Sequence, residues 1–251
     1  EASRYSAEPW TIKNCRRCGF VYLDPVPVVA ELSETLSWGT TFQAEAALRM
    51  QQRPVGRRLS LATRWRTKLV PRREIEQLAA GLVPPGPILD IGCGSGMRGR
   101  RLPPGYVPYG IEVSAASSAV ADREFGARGG ACIHAPATEG LARFENGFFR
   151  GAILRSYLEH ETQPREVLRE LMRTLRPGGV AVVKVPNFAS LNRRLAGRSW
   201  CGFRFPDHVN YFTPSALRTM AERAGFEVGW RRFGRLPTSD NMWAYLRRPP
   251  E

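Results

Sequence analysis

A doubly wound, mostly parallel α/β sheet of seven strands, fronted by a helical cover and closed by a C-terminal antiparallel hairpin, is the fold this sequence predicts. Three observations carry that expectation. The stretch Ile88-Leu89-Asp90-Ile91-Gly92-Cys93-Gly94-Ser95-Gly96 is an apolar strand that ends in an acid and runs directly into three alternating glycines. From Gly86-Pro87 onward, apolar runs of strand length alternate with helical patterns across short turns, as repeated β-then-α units around a parallel sheet require. The last two runs, at 226–233 and 241–247, have no helix between them and must pair antiparallel.

The chain divides into three segments on this reading: 1–27, a helical cover at 28–83, and a core at 84–251 that carries an insertion at 186–212. In the first, Cys15-Arg16-Arg17-Cys18-Gly19 leads into the alternating run Phe20-Val21-Tyr22-Leu23. A Cys-x-x-Cys-Gly turn before a strand is half of a zinc knuckle, with two thiolates for one metal and a glycine that lets the turn close. Tetrahedral zinc takes four ligands, so the other pair is expected upstream of Glu1. The redox reading of Cys-x-x-Cys is weaker because the motif opens a strand instead of a helix. In the second segment Leu32, Leu36, Leu48, Leu59, Leu69, Ile75 and Leu78 recur among polar and basic residues, and Pro54 and Pro71 break the pattern into two or three helices. In the third, strands are expected at 88–92, 107–113, 131–135, 150–156, 180–185, 226–233 and 241–247, and helices at 97–102, 115–125, 164–176 and 213–224.

The glycine loop identifies a ligand. Glycines at every second position admit positive φ and remove the side chains that would hold a sugar or phosphate away from the backbone. Gly94-Ser95-Gly96-Met97-Arg98-Gly99 also satisfies the dinucleotide pattern G-x-G-x-x-G, a weak match taken alone. Glu112 ends the second strand, where an acid accepts hydrogen bonds from ribose hydroxyls. Both a nicotinamide dinucleotide and S-adenosylmethionine (SAM) suit that acid. Asp90 before the glycines, which suits a cationic ligand, the single nucleotide-binding half and the closing hairpin favour SAM.

Further along, Leu158-Glu159-His160, Leu175-Arg176-Pro177-Gly178-Gly179 and Val185-Pro186-Asn187 follow in order. Together with the glycine loop and Gly110-Ile111-Glu112, these segments resemble the successive motifs of class I SAM-dependent methyltransferases, whose core is Rossmann-like. The stretch Phe205-Pro206-Asp207-His208-Val209-Asn210-Tyr211-Phe212-Thr213-Pro214, followed by Ala224-Gly225-Phe226, more narrowly resembles the ubiquinone-biosynthesis-type and small-molecule O-methyltransferases. Members of that subgroup often carry a zinc-binding Cys-x-x-Cys segment in front. The resemblance implies that Asp90, Gly92 and Gly94 approach the amino-acid end of SAM and that Glu112 holds its ribose. The chain departs from the pattern at His134-Ala135-Pro136-Ala137, where an acid is common, which leaves adenine to backbone and apolar contacts near Ala137. It departs again at Phe149-Arg150, where Phe-Asp is usual.

A hydroxyl acceptor requires a general base, and the chain has three histidines. His160 follows the fourth strand, at the edge where open α/β sheets bind ligands. His208 lies in the insertion beside Asp207, which is placed to orient its ring. These two are the catalytic candidates. Leu154-Arg155-Ser156-Tyr157 replaces the Asn/Asp-Pro-Pro-aromatic segment of adenine amino-group methylases, no Pro-Cys nucleophile for cytosine is present, and no paired-Asp cluster suggests a catalytic metal. The insertion mixes Phe188, Trp200, Phe203, Phe205, Tyr211 and Phe212 with Arg193, Arg194, Arg198 and Arg204, either as lid core or as an apolar acceptor wall with a guanidinium clamp for a phosphate- or carboxylate-bearing molecule.

Composition sets the outer limits. The 251 residues, 43% hydrophobic, suffice for one sizeable core with an appendage. The five cysteines are odd in number and widely spread, against a secreted disulfide framework. No apolar run reaches the roughly 18 residues of a membrane helix, and a soluble, cytoplasmic location is the expectation. Of the 37 basic residues behind the net charge of +14 only three are Lys, a skew that a GC-rich coding sequence produces on its own. Nine basic residues and no acid fall within 49–73, either as solvated helix faces or as a surface for an anionic substrate, lipid headgroup or nucleic acid. A small-molecule acceptor is the preferred partner, nucleic acid the weaker one, and nothing fixes an oligomeric state. The rival functions are a non-catalytic SAM- or nucleotide-binding protein, an NAD(P) oxidoreductase and an RNA methyltransferase.

Overall fold

The computed structural model describes residues 6, 9–27, 74–231 and 238–250. Most of the expected helical cover, with the basic stretch 49–73, lies outside the described residues. The strands are β1 (Thr11–Asn14), β2 (Val21–Asp24), β3 (Pro87–Ile91), β4 (Val107–Glu112), β5 (Ala131–His134), β6 (Phe149–Arg155), β7 (Leu175–Pro186), β8 (Asn210–Tyr211), β9 (Glu227–Trp230) and β10 (Asn241–Arg247). The α-helices are α1 (Ile75–Ala80), α2 (Ala115–Gly126), α3 (Ala137–Ala142), α4 (Pro164–Thr174), α5 (Leu191–Ala196) and α6 (Pro214–Arg223).

Seven strands form the main sheet in the order β5-β4-β3-β6-β7-β10-β9. The first five are parallel, and β10 runs antiparallel to both β7 and β9. This is the expected Rossmann-like, doubly wound sheet with its closing hairpin. Successive strand residues point to opposite faces, and the sequence obeys that period on both sides. Leu89, Ile91, Ala152, Leu154, Val183 and Val185 face one core with Leu141 of α3, Leu168 and Leu171 of α4 and Leu217 of α6. Ile88, Ile153, Val180 and Val182 face the other with Ile75 and Ala79 of α1. Each such Leu, Ile or Val stabilises the fold by roughly 1.5–3 kcal/mol relative to exposure.

Helix ends follow their sequence signals. Pro164 and Pro214 occupy first-turn positions, where a missing N–H costs nothing, and the Thr213 hydroxyl accepts from the Ala216 N–H at 3.1 Å. The segment expected as a helix at 97–102 is a 3₁₀ helix, Met97–Arg101, entered from Gly96 in the left-handed region. Two short helices lie outside the expectation, α3 and α5. At six residues each they are too short to show a 3.6-residue period, and α5 buries no side chain at all.

The N-terminal segment does not stand alone. Its hairpin β1-β2 pairs through β2 with β8 of the insertion, forming a second, three-stranded antiparallel sheet. Ile12, Val21 and Leu23 from the hairpin and Trp200, Val209 and Tyr211 from the insertion bury one another there.

Candidate functional site

Strand order reverses at β3: the chain goes outward through β4 and β5, then returns to the other side for β6 and β7. Ligands of open α/β sheets bind in the crevice beyond the carboxyl ends of the strands at such a switch point. Its two walls are the loop after β3 and the segment after β6.

The first wall is the glycine loop, with φ of +70° at Gly92, +57° at Gly94 and +70° at Gly96. The three glycines serve different ends. A Cβ on Gly92 would lie 2.7 Å from the Tyr157 ring, and one on Gly96 would lie 2.9 Å from Cα of Ala121. A Cβ on Gly94 would meet nothing within 4 Å, so the space beside it is left for whatever lies against the loop. Glu112 braces the loop from β4: its Oε2 accepts from the Gly94 N–H at 2.8 Å and its Oε1 from the Ser114 N–H at 3.0 Å. Each carboxylate oxygen keeps a lone pair for a ligand hydroxyl. Burial pushes the Asp90 carboxyl up to about 7, against the pull of the Arg155 charge. A cation beside Asp90 would restore its charge. Ala137, the expected adenine neighbour, is buried in the main core at the start of α3, so its methyl packs and only its backbone is left to meet a ligand.

The second wall opens with Ser156, the one non-glycine residue with positive φ (52°) among the described residues. That turn brings Tyr157 over Gly92, and the Tyr157 hydroxyl donates to Glu161. Residues 158–161 are then clamped by the insertion. The Glu159 carbonyl accepts from the N–H groups of Val209 (2.8 Å) and Asn210 (3.0 Å), and the Asn210 amide donates to the carbonyls of Leu158 (2.8 Å) and Glu161 (2.6 Å).

This clamp brings both catalytic candidates together, with a changed partner. Asp207 was expected to orient His208; it holds His160 instead. His160 Nδ1 lies 2.9 Å from both the carbonyl and the Oδ1 of Asp207, two acceptors, so Nδ1 carries the proton and Nε2 presents the lone pair of the neutral ring. Burial alone would lower the His160 pKa, but the Asp207 hydrogen bond and the charges of Glu159 and Asp207 outweigh it and hold it above the usual value. The Asp207 carboxyl is lowered: burial opposes the shift, and the His160 bond and charge overcome it. His208 is 5% exposed, bonds through Nδ1 to the Gly202 carbonyl at 2.9 Å, and packs edge-to-face on His160 with ring centroids 4.7 Å apart. Burial, helped by the His160 charge, pushes its pKa well below the usual range.

The guanidinium clamp is corrected by the structure. Arg204 is buried and ion-paired to Asp207 at 2.9 Å, Arg198 donates to the Ser6 carbonyl, and Arg193 lies 4.2 Å over the Phe188 ring. The aromatic residues of the insertion chiefly form the core of the small sheet. Cys15 and Cys18 share the β1-β2 turn, closed by Gly19 with φ of +69° and its N–H on the Cys15 carbonyl at 2.8 Å. Among the described residues the group of three candidate metal ligands lies elsewhere: donor atoms of Glu159, His160 and His208 come within 4.8 Å of one another. Sequence reasoning missed Glu159, whose carboxyl burial pushes up to about 7, together with Tyr157 and the role of Asn210. The signal was present, since all three stand in the quoted motifs or beside them.

The arrangement sets a glycine loop with open space at Gly94 and a carboxylate with spare lone pairs beside an aspartate-held imidazole that can take a proton. The family model described as a methyltransferase domain matches residues 62–229, more than half of the chain. No curated protein matches. Among solved structures, the [4+2]-cyclase SpnF superposes with a TM-score of 0.55 at 20% identity, covering 70% of this chain and 80% of its own. An S-adenosylmethionine-dependent methyltransferase from Mesorhizobium loti gives 0.55 at 16% identity, covering 69% and 96%. One from Thermotoga maritima, described as a possible histamine N-methyltransferase, gives 0.52 at 20% identity, covering 69% and 87%. At these identities the likeness is one of fold.

Proposed function

Since the chain belongs to the methyltransferase-domain family, we propose that it uses SAM to methylate a hydroxyl oxygen of a small molecule, as a cytoplasmic enzyme of sugar, lipid-precursor or secondary-metabolite biosynthesis. The residues present fit the cofactor: Gly94 leaves open space, Glu112 offers free lone pairs, and Asp90 is a carboxylate that a nearby cation would ionise. When bound, SAM supplies an electrophilic methyl group for in-line displacement. His160 is the general base, taking the acceptor's hydroxyl proton at Nε2 while Asp207 fixes the tautomer and steadies the charge that forms. His208 is a positioning residue that stays neutral and packs His160 in place.

The observation that carries this reading is the paired acceptance of the His160 Nδ1–H by Asp207 beside the switch-point crevice. Titration calorimetry with SAM, followed by detection of S-adenosylhomocysteine over a panel of alcohols, phenols and amines, tests it. Turnover of hydroxyl acceptors that collapses in His160→Ala supports oxygen transfer; turnover of amines alone rejects it.

The narrower likeness to the ubiquinone-type subgroup belongs to the same proposal, with Cys15 and Cys18 as half of a zinc knuckle. In its support, N–H groups of the turn, that of Cys18 foremost, and the Cys18 thiol lower the Cys15 thiol. Two donors do not complete a tetrahedral site among the described residues. Zinc bound by the purified protein and lost in Cys15→Ser supports the reading; zinc-free protein of unchanged stability rejects it.

A further inference from the structure

Beneath the glycine loop two sulfurs meet. Cys93 follows β3 and Cys132 lies in β5, so β4 runs between them, yet their Sγ atoms are 3.6 Å apart. Gly110 of β4 makes this possible: it pairs with Cys132 in register, and a Cβ there would lie 2.6 Å from the Cys93 sulfur and 3.1 Å from that of Cys132. Cys93 is 8% exposed and packs with Ala121 and Phe125, while Cys132 is half-buried and accepts from the Ser118 hydroxyl at 3.5 Å.

We propose that Cys93 and Cys132 are a redox modification site, oxidised by peroxide to a disulfide that passes over Gly110 and distorts the glycine loop. The roles of the two thiols are distinct. The hydrogen bond shared by the two sulfurs lowers the Cys132 pKa against the opposing effect of burial, and together with burial raises that of Cys93. Cys132 is therefore the sulfur more readily ionised and the more accessible of the two. Its sulfur attacks hydrogen peroxide, breaking the O–O bond; a sulfenic acid forms and the leaving hydroxide takes a proton to become water. The Cys93 sulfur then attacks the sulfenic sulfur, losing its proton as a second water leaves. Two thiols and one peroxide give one disulfide and two waters.

A disulfide has an S–S length of about 2.05 Å, so the sulfurs must draw together by about 1.5 Å. Strands β3 and β5 are held through β4 by regular ladders. Cys93 instead sits between two glycines of positive φ, the most pliant backbone nearby. The displacement therefore falls on the loop, where Cys93 accepts from the Gly96 N–H at 3.2 Å and Gly94 donates to Glu112. The consequence for SAM rests on the cofactor reading above.

The test treats the reduced protein with hydrogen peroxide and digests it with trypsin without reduction, while calorimetry follows SAM binding. Peptides 74–98 and 129–143 are expected to be joined, the SAM Kd to rise at least fivefold, and dithiothreitol to reverse both. Cys132→Ser is expected to bind SAM as the reduced protein does and to ignore peroxide. Peptides that remain free thiols overturn the proposal, as does a joined pair with Kd unchanged. If the reduced protein does not bind SAM, the cofactor reading fails separately. Hydrogen exchange of 92–97 then decides, and equal exchange in joined and reduced protein rejects the loop distortion.

Discussion

The glycine loop with Glu112 and the insertion at 186–212 both carry charge and glycine, and they use them in opposite ways. In the loop, backbone N–H groups satisfy a carboxylate that keeps lone pairs to spare, and Gly94 faces open space. In the insertion, Asp207 is ion-paired both to Arg204 and to His160 from outside it, and the aromatic rings fill a core. A residue type that binds ligands is uncommitted only where its partners leave it capacity. What the insertion does with its charge is hold a histidine of another segment.

The sharpest way to break that contrast is Asp207→Ala. It leaves Arg204 without its buried carboxylate and is expected to cost roughly 3–5 kcal/mol of stability in urea unfolding, the range for removing one partner of a buried pair. A loss below about 1 kcal/mol, as for a surface pair, would return the insertion's charges to ligand binding. His160→Ala is expected to lower kcat about 10²–10⁴-fold, the usual range for a general base, with SAM affinity unchanged; parallel losses in both would make His160 part of the cradle. Glu112→Ala is expected to weaken SAM binding by roughly 1–3 kcal/mol in calorimetry, with acceptor KM unmoved.

Gly94→Ala meets no clash, so its expected cost is the left-handed backbone alone, about 1–2 kcal/mol, plus the space taken from the ligand. Its SAM affinity is expected to fall further than its melting temperature implies. The smallest effect is a displacement of a pH profile. The base acts unprotonated, so kcat is expected to rise with pH through the His160 pKa, at an inflection above the ordinary 6.5. Removing the carboxylate in Asp207→Asn is expected to move that inflection to lower pH, and an unmoved limb would detach His160 from the rate.

What the sequence disclosed follows the same division. The sheet was legible because both its faces are buried, so Ile88 to Ile91 and Val180 to Val185 read as apolar strands broken only by Asp90 and Lys184. The loop was legible because its backbone takes positive φ at Gly92, Gly94 and Gly96, a shape that glycine records directly. The His160–Asp207 pair was not, because its members are 47 residues apart and only the clamp through Val209 and Asn210 brings them together. Beside Asp207, His208 was the nearer partner in sequence, and its ring is committed to Gly202. Arg204 read equally as part of a lid core or as a clamp because an arginine among aromatics looks the same whether it faces a ligand or a buried aspartate.

The pairing of β2 with β8 also sets the terms for engineering this chain. Leu23 donates to the Val209 carbonyl at 2.9 Å, and Val209 in turn donates to the Glu159 carbonyl beside the histidine. The smallest portable unit around the small sheet is therefore discontinuous, made of residues 9–27 and 186–212 together. Chimeras that exchange the insertion alone would break the small sheet and uncover Trp200 and Tyr211, whereas those that move both pieces carry an intact core with them.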